Sequence, residues 1–492
     1  MKKLLAMLLL LAMLGTMLVA CNKDKGNAGD GKQTGEVDDA ADESLPEAKE
    51  EYVDREYNII YRDTYEHEWV FDADLAGSHI NDAIFKRNQA VETRYKVLLM
   101  YHPVVSSGYG VYETNFMGPV ETAILANENA YQLVAGYEYR LAYTSALGNF
   151  VDWYTVSNVN LDGEWWDGGF ASAASYHDHT YIMNGSLSLS HLYTSSCMFF
   201  NQDIINSKIE NGTEEIFGKV QSGDWTLEAF ETYVKMFTAD DDGVEGMSEN
   251  DSYGLGTNDT TAVDAFLFCS NISVSGRTDD GEIKIYSVGD KLSNLATTLH
   301  RIINTSGNTF NQSTANIEGL DIHIGMISKG KTAFSTGVLE NATKLRETNV
   351  NYGILPYPKY DEKQKNYYSI TMDFSTAFAI PKTEADDLDF VGAITEAMAY
   401  YSDTYVKDAL YNTVLKYRDA KDEESSKCVD IILGNTRYDF AYIYAYSWGD
   451  QMGPSALLRS CIRAKTDAIT ILFDSYSPTY TSKLTTLLEN FQ

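Results

Sequence analysis

Residues 351–383 read NYGILPYPKYDEKQKNYYSITMDFSTAFAIPKT. The run Tyr352-Gly353-Ile354-Leu355 is apolar and β-prone, and it stops at Pro356-Tyr357-Pro358. Two prolines within three residues remove two backbone donors and fix two φ angles, so a strand ends there. Residues 359–366 are a polar turn. Tyr367-Tyr368-Ser369-Ile370 resumes the extended pattern, Met372-Asp373-Phe374-Ser375 interrupts it, and Ala377-Phe378-Ala379-Ile380 closes it before Pro381. The pattern predicts short buried strands with a polar break between them.

Working outward, residues 57–61 alternate like a strand and end before Arg62-Asp63-Thr64-Tyr65. Residues 83–95 place Ile84, Asn88, Val91 and Tyr95 near helical spacing. A strand over 95–101, a helix over 120–126 and a strand over 131–135 follow. Strands alternating with helices predict an open α/β sheet. Ligands bind such sheets beyond the carboxyl ends of the strands. That rule places Asp63 and Gly136-Tyr137-Glu138-Tyr139 at candidate positions, with Asp63, Tyr137 and Glu138 the candidate binding residues. Further along, Thr226 fits a helix N-cap, and so does Asp422. Residues 265–270 and 283–286 read as β-segments about a turn at 276–281, and 292–303 as a helix.

These stretches carry a resemblance. Residues 352–360 (YGILPYPKY), Gln364, Tyr367-Tyr368 and Ile380-Pro381-Lys382-Thr383 resemble the carbohydrate-type (family 1) extracellular solute-binding proteins of bacterial ABC importers. Scattered marks of the same family occur in the same order over most of the chain after Glu51. They include Leu133-Val134 with its aromatic sequel, the pair Trp165-Trp166 before a hairpin at 179–185, Ser195 to Asn201, Trp225-Thr226, and the aromatic run ending at Trp448. The resemblance implies a two-lobed α/β, periplasmic-binding-protein-like fold of type II. Its ligand cleft would lie between the lobes, over a hinge of about three crossing segments. The implied division is 52–195 with 374–430 as one lobe and 196–373 with 431–492 as the other. Residues 351–383 would then leave one lobe, cross the hinge and enter the other, which sets Asp373 near the cleft floor. The resemblance adds Trp165, Trp166, Phe334 and Trp448 as candidate ligand residues. Trp165 and Trp166 are neighbours on an extended chain, so only one of them would face a cleft.

Composition agrees with a large globular protein. The chain has 492 residues, 44% of them hydrophobic and 22% charged, and carries a net charge of −33. Such a surface repels nucleic-acid phosphates and anionic lipid, so neither is an expected partner. Its 35 tyrosines each offer an apolar face and a hydroxyl, suited both to packing and to stacking on sugars. At the N-terminus Lys2-Lys3 precedes an apolar run over 4–20, short of the ~20 residues that span a bilayer. It ends Leu18-Val19-Ala20-Cys21, which resembles a bacterial lipobox, so residues 1–21 are expected to be a lipoprotein signal peptide with Cys21 the lipidated residue. Residues 22–51 are polar and acidic, and are expected to form a disordered, extended tether. Lipidation would hold the protein to the extracellular face of the cell membrane by its anchor alone.

The remaining cysteines, Cys197, Cys269, Cys428 and Cys461, have no metal spacing and allow three pairings. His177, Asp178, His179 and His191 lack further ligands at a recognisable spacing. Asp240, Asp242 and Asp251 match positions one, three and twelve of a calcium loop, but Val244 and Glu245 stand where an oxygen ligand and a glycine belong. No metal, cofactor or catalytic residue is expected. The combined reading is a monomeric, non-enzymatic solute-binding lipoprotein. It would deliver a sugar or oligosaccharide to ABC permease subunits. The alternatives are a cell-surface glycoside hydrolase, which would need two carboxylates roughly 5–10 Å apart across a cleft, and a sensor or adhesin of the same fold.

Overall fold

The computed structural model describes residues 44–106, 112–244, 247–248, 250–314, 321–449 and 453–491. The signal peptide, Cys21, most of the tether and Glu245 lie outside the described residues. The expected tether runs to residue 51, but the chain is already packed from Leu45, which is buried with Tyr52. Tyr52 donates to the Asp389 carboxylate at 2.5 Å, and Lys49 pairs with the same group. One buried leucine and one buried tyrosine suffice to dock this stretch on the helix Leu388–Tyr401.

The chain builds β1 (Glu56–Arg62), β2 (Leu98–Val104) and β3 (Leu133–Tyr137), with helices His79–Tyr95 and Gly118–Ala126 between them. Next come β4 (Ser196–Asn201), β5 (Tyr253–Thr257), a hairpin of β6 (Ser275–Arg277) and β7 (Ile283–Ile285), β8 (Thr309–Asn311), β9 (Thr332–Val338) and β10 (Tyr352–Leu355). Short strands β11 (Ser369–Ile370), β12 (Thr376–Ala379) and β13 (Thr436–Arg437) complete the set. One sheet has the order β12-β3-β1-β2 and a second has the order β10-β4-β9-β5-β8. In the first, β1 runs parallel to β2 and β3, and β12 is antiparallel to β3 with Phe378 opposite Ala135. In the second, β4 is antiparallel to β9 and β10, while β5 is parallel to β8 and β9.

The stretch 351–383 therefore leaves one sheet and enters the other. β10 is an edge strand of the second sheet, and β12 is an edge strand of the first. The prolines stop β10 as expected, and Trp225 locks the exit: its Nε1–H donates to the Pro356 carbonyl at 3.0 Å. Gln364 pins the polar turn, donating to the carbonyls of Cys269 and Asn366 and accepting from the Tyr360 N–H. A second crossing runs alongside. Met183 bridges to Phe378 in the first sheet, Ser195 bridges to Thr371, and Ser196 opens β4 in the second. Met372 N–H donates to the Thr194 carbonyl, and Thr376 N–H to Ser190 Oγ at 2.8 Å. A third passage begins after Leu388–Tyr401. It ends on the helix Glu423–Leu433, whose Ser425 hydroxyl accepts from the Ile354 N–H of β10 at 3.0 Å.

Local signals held where capping sets them. Thr226 Oγ1 accepts from the Ala229 N–H, and the Asp422 carboxylate from the Ser425 N–H. Two local readings differ. Residues 265–270 are not a strand but part of the helix Thr261–Cys269, buried on every side. A short, wholly apolar run does not reveal its period. The decisive residue lies upstream, where Asn258 Oδ1 accepts from the N–H groups of Thr260 and Ala262. Residues 179–185 form no hairpin of their own: His179 closes a tight turn onto Tyr176, and Met183 and Gly185 bridge outward to Phe378 and Trp166. A Cβ on Gly185 would come within 2.3 Å of the Trp165 carbonyl, so only glycine permits that approach. All four cysteines among the described residues are buried free thiols. No helix among the described residues is long and apolar enough to cross a membrane.

Candidate functional site

The carboxyl ends of β1 and β3 and the start of β12 meet at one edge of the first sheet. Asp63, first beyond β1, is half-buried and accepts from both the N–H and the hydroxyl of Ser106, at 3.1 and 3.2 Å. Arg62, just before it, is buried. Its Nη2 donates to Thr376 Oγ1 at 2.6 Å, and its guanidinium lies 3.8 Å from the Tyr137 ring centroid and 4.5 Å from that of Tyr65. Two ring faces hold the cation in place of water. Glu138 opens the helix Glu138–Ser145 and is buried; its carboxyl accepts from Ser375 Oγ at 2.9 Å. The N–H of Tyr139 donates to the Asp373 carbonyl at 3.2 Å, and the Asp373 N–H to the Tyr442 hydroxyl at 3.4 Å. Asp63, Tyr137, Glu138 and Asp373 are thus gathered at one edge, with Asp373 half-buried there.

Burial opposes ionisation of Glu138, Asp373 and Asp264. Burial raises Glu138 well above its ordinary value, with the charges of Asp373 and Asp167 adding to the effect. Burial also raises Asp373, opposed by the Arg459 guanidinium. Asp264 is pushed up to about 7 by burial, again against Arg459, which stands 3.0 Å away. A protonated carboxyl donates a hydrogen bond and an ionised one accepts. Beside the edge runs an aromatic strip: Tyr137 and Tyr139 are 5.7 Å apart, Tyr139 and Tyr446 6.1 Å, and Tyr143 and Tyr446 5.0 Å. Arg140 lies 4.1 Å over the Tyr446 ring, which is 39% exposed. The strip joins the helix after β3 to the short helix Ala445–Trp448 near the C-terminus.

Four candidates are not at this edge. Trp166 is buried; its Nε1–H donates to Glu396 at 2.9 Å and its ring packs 5.4 Å from Trp153. Trp165 lies edge-on to Tyr400 at 5.2 Å, against the same core. Phe334 is fully buried among the rings of Phe200, Trp225, Phe230, Tyr233 and Phe237. Trp448 is 1% exposed and packs on Tyr480. In each case a large apolar ring gains more from core burial than a rim position would give it. The sequence reading places Tyr139 beside Tyr137 and Glu138, but it does not single out Arg62, Asp264 or Tyr446. Arg62 directly precedes Asp63 at the same strand end, which is the signal that could have found it. Tyr446 lies in the aromatic run that had singled out Trp448.

The histidines are occupied separately. His177 contacts Glu282, His179 contacts Asp152, and His191 bonds the Ser188 carbonyl. Among the described residues, Asp240, Asp242 and Asp251 bring one carboxylate oxygen each within 4.8 Å of one another. Their oxygens already accept local donors. Asp251 takes the N–H groups of Asp241, Asp242 and Ser248, Asp240 that of Gly243, and Asp242 that of Val244. These bonds, Ser248 first, hold Asp251 below its ordinary value. A chelator is therefore expected to leave the melting temperature unchanged; a fall of several degrees on adding EDTA, reversed by calcium, would contradict this.

No family model matches this sequence, and no curated protein matches it. Solved structures do resemble its fold. An ABC substrate-binding protein from Listeria monocytogenes in complex with cycloalternan superposes with a TM-score of 0.55 at 11% identity, covering 87% of this chain and 99% of that one. A cyclo/maltodextrin-binding protein complexed with maltotetraose gives 0.54 at 11% identity, over 88% and 97% of the two chains. A family 1 extracellular solute-binding protein from Bifidobacterium longum subsp. infantis gives 0.53 at 11% identity, over 87% and 100%. The chain has the two-lobed α/β fold of these proteins.

Proposed function

We propose that this protein is an extracellular solute-binding subunit of an ABC importer and that its solute is a sugar or oligosaccharide. The observation that carries the reading is the edge just described: aromatic rings and buried carboxyls gathered where both sheets' crossing segments meet, in a fold shared over 87–88% of the chain with solved sugar-binding proteins. Rings cover the apolar faces of a pyranose, and carboxyls of mixed protonation bond its hydroxyls. The solute would be bound and passed on unchanged, its affinity for the closed state exceeding that for the open one. Each lobe would be built on one of the sheets, 52–195 with 374–430 on the first and 196–373 with 431–492 on the second. A thermal-shift series of mono- and oligosaccharides tests the reading, because a ligand that binds only the folded state raises its melting point by mass action. Failure of all sugars to shift it, with a peptide or other solute succeeding, would replace the solute class. Appearance of hydrolysed product would replace binding by catalysis.

Asp373 is the sharpest test of the edge. Its half-buried carboxylate costs free energy unless bonded, and a charged hydrogen bond to a solute hydroxyl contributes about 1.5–3 kcal/mol. Asp373→Asn is expected to weaken solute binding on the order of tenfold or more, at little cost to the melt of the unliganded protein. Calorimetric titration checks it, and unchanged affinity with a lowered melt would make Asp373 a hinge brace instead.

The anchor belongs to the same proposal. Cys21 would carry the lipid, and the protein would act at the outer face of the cell membrane beside its permease. Cys21→Ser is expected to leave the chain unprocessed or to release it from the membrane fraction. A mature N-terminus at any other residue would remove the anchor.

A further inference from the structure

Two buried carboxyls beside the candidate edge face one cation. Asp264 lies on the helix Thr261–Cys269, which follows β5, and is 2% exposed. Arg459 lies on the helix Leu457–Arg463, and its Nε stands 3.0 Å from Asp264 Oδ1. One turn on, Arg463 meets Asp259, just ahead of the other helix, at 3.1 Å. Two ion pairs thus fix the helices side by side. Asp373 comes from the crossing stretch, between β11 and β12. Its backbone is held from two sides: the N–H donates to the Tyr442 hydroxyl at 3.4 Å, and the carbonyl accepts from the Tyr139 N–H at 3.2 Å. Tyr442 is buried on the helix Phe440–Ile443, its ring 5.1 Å from that of Phe268 on the Asp264 helix. The same core holds Leu457 and Leu458, from the Arg459 helix. Tyr442 therefore ties the backbone of Asp373 to both helices.

The charges meet at that hydroxyl, which feels Asp373, Asp264 and Arg459 together. Burial raises both carboxyls, and Arg459 opposes it at each. At Asp264 the Asp373 charge adds to burial, and Arg463 also opposes it. Glu138, on the helix after β3, feels the Asp373 charge as well, and Tyr357, after β10, feels that of Asp264. One guanidinium does not compensate two buried carboxylates in full. Ionising either acid makes the other harder to ionise, so the pair titrates as a unit.

We propose that Arg459 is a counterion shared between Asp264 and Asp373, and so a positioning residue that fixes the charge Asp373 presents at the edge. Its bearing on solute binding rests on the reading proposed above; its bearing on the two carboxyls does not. The test is a pH titration of the full-length protein without solute, labelled with carbon-13 at the aspartate side-chain carboxyls and followed by NMR. Asp264→Asn and Asp373→Asn identify the two signals by their loss. Arg459→Met is expected to raise both midpoints by about one pH unit or more, the usual effect of removing an adjacent opposite charge. Arg459→Lys, which restores the charge, should bring both back toward wild type, as a merely structural role for the side chain would not. Asp373→Asn is expected to lower the Asp264 midpoint, because Arg459 is then left to Asp264 alone. A rise at Asp264 only would make Arg459 its private partner, and a rise at neither would take the guanidinium out of the balance; either result overturns the proposal. If Arg459→Met does not fold, Asp373→Asn decides, and an Asp264 midpoint that stays where it is in wild type overturns the sharing. Midpoints that move as expected, in a protein whose melt no sugar shifts, would leave the shared counterion standing and dismiss the sugar.

Discussion

Phe334→Ala is expected to destabilise the protein by about 3–5 kcal/mol, the usual cost of removing a buried phenyl ring, while leaving the solute affinity of the folded molecule unchanged. The resemblance to family 1 proteins set Phe334 at a cleft edge, and the structure puts it at the centre of a ring cluster. Its side chain is fully buried, and the nearest rings are those of Phe230 at 5.7 Å and Trp225 at 5.8 Å. Trp225 in turn locks the exit of β10 through Pro356, so the cavity would loosen the start of the crossing stretch. No rearrangement of rigid rings fills a phenyl-sized void, which places the cost toward the upper part of the range. Equilibrium denaturation of the unliganded protein measures the loss. Titration well below the transition measures affinity. A near-normal midpoint with tenfold weaker binding would return Phe334 to the site.

The stability of the protein is expected to fall as pH rises from about 5 to 8. Burial pushes Glu68, Glu384 and Glu396 each up to about 7, and Asp264 to about 7 as well. In the unfolded chain these groups titrate near 4, as ordinary carboxyls. Between about 4 and 7 the folded state therefore holds more protons than the unfolded one. Stability is then fully present below the unfolded values and lost as pH climbs through the folded values. Each proton of difference is worth about 1.4 kcal/mol per pH unit. Glu231 acts oppositely: the Arg301 guanidinium, bonded to it at 2.7–2.8 Å, holds it down to about 2, so its contribution is present above about 4 and lost in strong acid. The net charge of −33 strengthens the trend, since self-repulsion grows as carboxyls ionise. Melting or urea midpoints from pH 5 to 8 check the slope. Glu68→Gln, which fixes that group neutral while keeping an acceptor for Ser188, should flatten it. A midpoint that rises between pH 5 and 8 would show that these carboxyls are hydrated and ionised in the folded state.

Much of the fold was legible in local chemistry. Prolines at 356 and 358 end a strand wherever they occur, and β10 does end there. Thr226 and Asp422 cap helices because a short side-chain oxygen beside free N–H groups needs no distant partner. The strands on either side of the polar break at 372–375 were set by burial pattern, and with them the passage from one sheet to the other.

Which aromatic rings face inward was not legible, because burial is decided by partners far along the chain. Trp166 is inside because Glu396, 230 positions away, accepts its N–H. Phe334 is inside because Trp225 and Phe230 close over it. Tyr446, not Trp448, reaches Tyr139 because the Ala445–Trp448 turn lies against the helix after β3. The residues 265–270 are equally apolar as strand or helix, and only the Asn258 cap and the cover on every side make them a helix. The sequence by itself determined the alternation of elements and the crossing stretch, each of which rests on interactions within a few residues. Only the tertiary structure decided which side chains share the edge beyond β1 and β3, since those contacts join residues from 43 to 314 positions apart.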